Sequence, residues 1–226
     1  MEHSFIRLFE RAPMDFLPSL ATLLAFTAAG LLLALTPGPD MTLSISRALG
    51  QGRRPALFVV LGTSLGVICH TLLVAFGISA LITASPTAFF ILKTGGAAYL
   101  LWLAIQAIRF GSKLSVEKVD QTKASALANI STGFWVNLLN PKVIIFFMTF
   151  LPQFVTAGDP DVTSKLIFLG VYFIVIGMPV NVIVVLAADR LANWLQANPK
   201  VLRGIDYTFA GVFSVFAAKI FFTQAR

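Results

Sequence analysis

The sequence predicts an all-α polytopic membrane protein. Six transmembrane helices are expected, arranged as two inverted three-helix repeats in which helices 1 and 4 are broken. Three observations carry this prediction. Of 226 residues, 57% are hydrophobic and 12% charged, with a mean hydropathy of +0.85, whereas a soluble domain holds about 45–50% apolar and about 25% charged residues. The apolar residues fall in continuous runs rather than alternating, which indicates helices and not a barrel. Two of the runs are interrupted by a polar, proline-bearing break. This composition excludes a disordered chain, a disulfide-stapled secreted domain and an ordinary cytosolic enzyme. Six spans of about 20 residues leave only short loops and no room for a separate soluble domain.

In chain order the hydrophobic segments run over about 16–49, 56–82, 87–108, 128–151, 164–187 and 207–222. Lys and Arg are unevenly distributed between them. Arg47, Arg53 and Arg54 sit in the first loop, Arg109, Lys113, Lys118 and Lys123 in the third, and Arg190, Lys200 and Arg203 in the fifth. The termini and even loops hold Arg7, Arg11, Lys165, Lys219 and Arg226. Lys/Arg excess marks the cytoplasmic side, which places odd loops in the cytoplasm and both termini outside. The net charge of +7 is explained by this topology. No basic-aromatic stripe marks a nucleic-acid partner. Residues 1–13 are unlike the rest, neither apolar nor a convincing signal peptide, and read as an N-terminal extension. Met14 is then an alternative start.

The first break is Thr36-Pro37-Gly38-Pro39-Asp40 and the second Asn137-Leu138-Leu139-Asn140-Pro141-Lys142. Aligning Pro39 with Pro141 places Asp40 on Lys142 and Gly50 on Pro152. Each break is followed by two further spans. The units are therefore 14–110 and 128–226, joined by a cytoplasmic linker over 111–127. Three spans per unit is odd, so the second unit enters the membrane inverted, the arrangement common in secondary transporters. Proline lacks an N–H and disfavours helix in the residue before it, yet suits the first position of a new helix behind a capping residue. Thr36-Pro37 and Asn140-Pro141 both fit that pattern. Each broken span is expected to be two half-helices meeting near the bilayer middle, their N-terminal ends suited to a carboxylate. A pair of kinks serving packing alone leaves the charge at each break unexplained.

Charge at membrane depth costs roughly 2.5–3.5 kcal/mol, so Asp40 and Lys142 are expected to face an interior cavity. They either pair with each other or contact a zwitterionic substrate or a coupling proton. A cation opposes the dipole of its own helix N-terminus, so local helix stability does not account for Lys142. Asn140 reads as a cap. Asn137 is open between capping and substrate contact. Pro37, Gly38, Pro39, Asp40, Asn137, Asn140, Pro141 and Lys142 form the candidate substrate and ion pathway. His70, mid-span, is either a proton relay or a cross-helix hydrogen-bonding group. Lys93 is expected to snorkel at the outer end of span three, and Asp189, Arg190 and Asp206 to lie at the inner interface. Pro179 with Asn181 is expected to kink span five. Gly62/Gly66 and Gly95-Gly96 read as close-packing sites. The lone Cys69 excludes an intramolecular disulfide and reads as a small core residue. No His/Cys cluster has metal-ligand spacing, and no cofactor is implied.

The ordered motifs resemble a known family. Leu35-Thr-Pro-Gly-Pro-Asp-Met41 is similar to its PGP signature. Arg47, Gly50, Gly52-Arg53-Arg54 and Gly62/Gly66 are similar to the family's next stretch. Gly95-Gly-Ala-Ala-Tyr-Leu100 resembles the third span. Asn137–Lys142, Phe146-Phe147 and Leu151-Pro-Gln-Phe154 resemble the fourth. Together they resemble the lysine exporter / homoserine–threonine efflux (LysE/RhtB) family from about Met14 to Phe222. The resemblance implies a transporter rather than an enzyme: a bacterial inner-membrane exporter of amino acids or related metabolites, driven by proton exchange and working as a homodimer. An exporter of an inorganic ion with the same architecture is the alternative. An intramembrane enzyme finds no nucleophile–base constellation, and a scaffold has no need of paired helix breaks.

Overall fold

A computed structural model describes residues 17–111, 124–156 and 159–224. The 1–13 extension, Met14 and the linker lysines Lys113, Lys118 and Lys123 lie outside the described residues. Those described form helices and no strand. Span one consists of α1 (Leu20–Leu35) and α2 (Pro39–Gln51), bent by 50°. Span two is α3 (Arg53–Ala84) and span three α4 (Pro86–Phe110). Span four is α5 (Ala126–Leu138) and α6 (Pro141–Phe150), continued by a 3-10 turn over Leu151–Phe154 and bent by 55°. Span five is α7 (Val162–Leu186). A short helix α8 (Ala188–Ala197) precedes span six, α9 (Pro199–Gln224). The described chain thus has four uninterrupted helices long and apolar enough to cross a membrane, and six spans if each bent pair counts as one. The chain is a polytopic helical membrane protein, with each broken span followed by two unbroken ones.

Local chemistry sets the boundaries. The side chains of Ser19, Ser85 and Ser125 accept from the N–H groups of Thr22, Ala88 and Ala128, capping α1, α4 and α5. Gly52 joins α2 to α3 at φ 98°, a left-handed conformation that favours glycine. The sixth helix starts at Pro199, well before the expected 207, because Asn198-Pro199 begins a helix as Pro at the first position often does. As a result Asp206 falls within a helix rather than in a loop. It lies two turns into α9 and is 1% exposed. Its carboxylate and the Arg203 guanidinium both lie against Gly111, where α4 ends. The expected fifth loop also contains α8. Ala188, Ala192 and Leu195 face inward, while Asp189, Arg190, Asn193 and Trp194 face out. This helix covers Met41 and Ile45 of α2.

Close packing follows the glycines. Gly62 of α3 lies against the backbone of Ile130 and Phe134 in α5, and Gly133 of α5 against the backbone of Val59 in α3. Gly96 seats Thr149, whereas Gly95 faces open space. A cluster of rings fills the main core. Phe150 is surrounded by Phe26, Phe146, Phe154, Phe213 and Phe216 at centroid separations of 4.6–5.8 Å, the range for favourable aromatic pairs. Cys69 is half-buried. It lines a lateral apolar groove with His70, Leu73 and Leu92 rather than sitting in the core.

Candidate functional site

The two breaks meet beside one cavity of about 60 Å³. It is lined by Leu33, Ala34, Thr36 and Gly38 from the first break, Asp40 and Met41 of α2, and Thr63, Ser64 and Val67 of α3. Asn137, Asn140, Lys142 and Val143 come from the second break, and Phe173, Ile174, Gly177, Met178 and Asn181 from α7. Of the eight expected pathway residues, Gly38, Asp40, Asn137, Asn140 and Lys142 line it. Pro37, Pro39 and Pro141 do not. They set the backbone at the breaks.

The two breaks are built differently. At the second, Asn140 caps α6. Its side-chain oxygen accepts from the Lys142 N–H at 3.0 Å, with Pro141 at the first helical position. At the first, the expected Thr36-Pro37 cap does not form. The new helix begins at Pro39 behind Gly38, which is extended (φ −168°, ψ −176°) and offers no side-chain cap. The reason is steric, since Pro39 keeps the residue before it out of the helical region. Thr36 instead closes α1. Its N–H and its hydroxyl both donate to the Leu32 carbonyl, at 2.9 and 2.6 Å.

Asp40 and Lys142 do not form an ion pair with each other. Asp40 Oδ2 accepts from Asn137 Nδ2 at 2.7 Å, and the other carboxylate oxygen is buried without a partner. Lys142 Nζ donates to the carbonyls of Leu33 at 2.8 Å and Thr36 at 2.5 Å. Those carbonyls belong to the C-terminal end of α1, where a helix leaves carbonyls unpaired and the dipole is negative. Lys142 is therefore unfavourable for its own helix and favourable for another. Each half of the chain holds a polar group of the other at its break. Asn137 thus contacts Asp40 from the other half of the chain. Gly66 makes room for it, since a Cβ there would overlap the Asn137 side chain.

His70 is buried (6% exposed) and faces the lateral groove, not the central cavity. Its Nε2 is 3.4 Å from the Asn137 carbonyl oxygen and its ring packs on Phe147. Lys93 does not snorkel freely. Its Nζ donates to the Val155 carbonyl at 3.2 Å, closing the end of span four. Asn181 Nδ2 donates to Gly177 O at 3.3 Å in the turn around Pro179. Thr63, Ser64 and Asn181 also line the cavity, a role that no motif predicts for them. Their only sequence signal is a polar residue inside an apolar run.

A family model described as LysE type translocator matches residues 31–224. The chain belongs to the LysE type translocator family. Among curated relatives, a homoserine/homoserine lactone efflux protein of Salmonella typhimurium is 33% identical over 194 residues, covering 86% of this chain and 93% of the relative. A leucine efflux protein of Klebsiella pneumoniae is 24% identical, covering 87% and 93%. A cysteine/O-acetylserine efflux protein of Salmonella paratyphi A is 36% identical, covering 58% and 64%. No solved structure gives a significant match. The family resemblance carried by PGP, NPK and LPQF is thus correct over nearly the whole chain. Within this LysE type translocator, PGP and NPK occupy the two breaks that flank the cavity.

Proposed function

We propose that this protein is a secondary transporter that exports amino acids or related metabolites across the bacterial inner membrane in exchange for protons. The relatives' names support amino-acid export. The observation that carries the reading to these residues is the shared cavity, where Asp40 and Lys142 bring opposite charges to two broken spans. A zwitterion presents the matching pair. Asp40, with one carboxylate oxygen unpartnered, receives the ammonium group or a proton. The carboxylate meets the remaining Lys142 N–H and the uncapped start of α2. His70, linked to Asp40 through Asn137, serves as the relay. The halves act as inverted repeats, and rocking of one against the other gives alternating access. Arg47, Arg53, Arg54 and Arg203 lie on the cytoplasmic side in this reading, with both termini outside.

The test is a metabolite-resistance screen. Cells overexpressing the protein are challenged with each amino acid or its toxic analogue, and intracellular pools are measured. Lowered pools of some amino acids, dependent on the proton gradient, are expected. Protection against an inorganic ion and no amino acid would replace this reading with the ion-exporter alternative.

A further inference from the structure

The charges around the cavity constrain its substrate more narrowly than "amino acid". Among the lining residues, Asp40 is the only acid and Lys142 the only base. An amino acid's ammonium and carboxylate use both. The other polar groups are neutral. Thr63 and Ser64 each donate their hydroxyl to the Val60 carbonyl at 2.9 Å, so they present lone pairs to the cavity. The Asn181 amide is tied to Gly177 O. A third charge on a substrate side chain would enter this cavity without a counter-charge. Desolvating an unpaired charge at membrane depth is costly, and an unpaired charge against the wrong substrate is how a site discriminates.

We infer that the cavity admits amino acids with uncharged side chains and rejects dibasic and acidic ones, and that the neutrality of Asn181 enforces the rejection of a cationic side chain. Asn181 is the one lining carboxamide outside the two breaks, and aspartate matches its shape while adding the missing charge. The inference rests on the amino-acid export reading. Hydroxyl, thioether and aliphatic side chains fit the remaining lining, where Thr63 and Ser64 stand beside Val67 and Phe173.

The test uses the full chain reconstituted in phosphatidylethanolamine/phosphatidylglycerol vesicles loaded with labelled homoserine, leucine, lysine or glutamate. Homoserine or leucine should leave at least about tenfold faster than lysine or glutamate. Asn181→Asp should raise lysine release at least about tenfold over the wild type, whatever the added carboxylate does to homoserine release. Ser64→Asp, on a different helix, repeats the test if Asn181→Asp fails to assemble. Wild-type protein that releases lysine as fast as homoserine overturns the inference and leaves the export reading standing. So do aspartate variants that carry homoserine but no additional lysine. Release of no amino acid at all overturns the export reading and this inference with it.

Discussion

Lys142 donates to the carbonyl oxygen of Leu33 across a sequence separation of 109 residues, at 2.8 Å. With the bond to Thr36, this ammonium closes a helix end in the other half of the chain. Removing it leaves two carbonyls unpaired at membrane depth, each costing about 1–3 kcal/mol. Lys142→Ala should abolish efflux while the protein still reaches the membrane, and should lower the melting temperature in detergent by several degrees. Lys142→Arg keeps the charge but changes the donor geometry, so it should restore stability more than transport. Full efflux by Lys142→Ala would sink the assignment.

Asn137 and Gly66 act as one unit. Gly66 has no room for a Cβ because the Asn137 side chain occupies that space, and from there Asn137 reaches Asp40. Asn137→Ala deprives the carboxylate of its donor and should slow export by roughly tenfold, the scale of one hydrogen bond to a charged group. Gly66→Ala should slow export comparably by displacing Asn137, with the Asp40 carboxylate intact. Asn137→Asp, which sets a like charge against Asp40, should be the most severe. Initial export rates at equal membrane abundance rank the three, and a neutral Gly66→Ala would contradict the coupling.

Whether a feature is legible in the sequence depends on whether it is local. The first five spans, the two breaks and the Asn140 cap depend on residues adjacent in sequence, and sequence and structure place them alike. The partners of Asp40 and Lys142 are not local. The dipole of its own helix marks Lys142 as misplaced there, but only the fold brings the end of α1 within reach. The Thr36-Pro37 cap fails because two prolines compete, and Pro39 dictates the conformation of Gly38. Asp206 and α8 escape the sequence pattern because amphipathic or charged stretches near a boundary read as loop when the helix start, Pro199, is not recognised. Thr63, Ser64 and Asn181 carry no motif, and only their convergence on one cavity distinguishes them.

Glycine replacements should separate packing from flexibility. A Cβ at Gly62 would collide with the α5 backbone, which no side-chain adjustment relieves, whereas nothing lies within 4 Å at Gly77. Both lie inside α3, where alanine is otherwise favoured over glycine by about 1 kcal/mol. Gly77→Ala should be neutral or raise the melting temperature slightly. Gly62→Ala should lower it by several degrees as α3 and α5 are forced apart. Equal melting temperatures for the two variants would mean that the close α3–α5 contact contributes nothing.

The loop before α7 supplies a pH test away from the cavity. Burial pushes the Asp159 carboxyl up, but the hydrogen bond from Lys165, the Asp161 N–H and the Lys165 charge together outweigh it and hold the carboxyl below its ordinary 3.8. A carboxyl depressed in the folded state stabilises above its unfolded pKa, and this contribution is lost as pH falls through the folded value. Asp159→Asn should therefore melt below the wild type at pH 7, by no more than about 1 kcal/mol for a partly exposed pair. The gap should begin to close below about pH 3.8 and vanish once wild-type Asp159 is itself protonated. Melting curves of both proteins in detergent, from neutral pH down to strong acid, measure this directly. A gap that stays constant across the range would show that the Lys165 contact adds no pH-dependent stability.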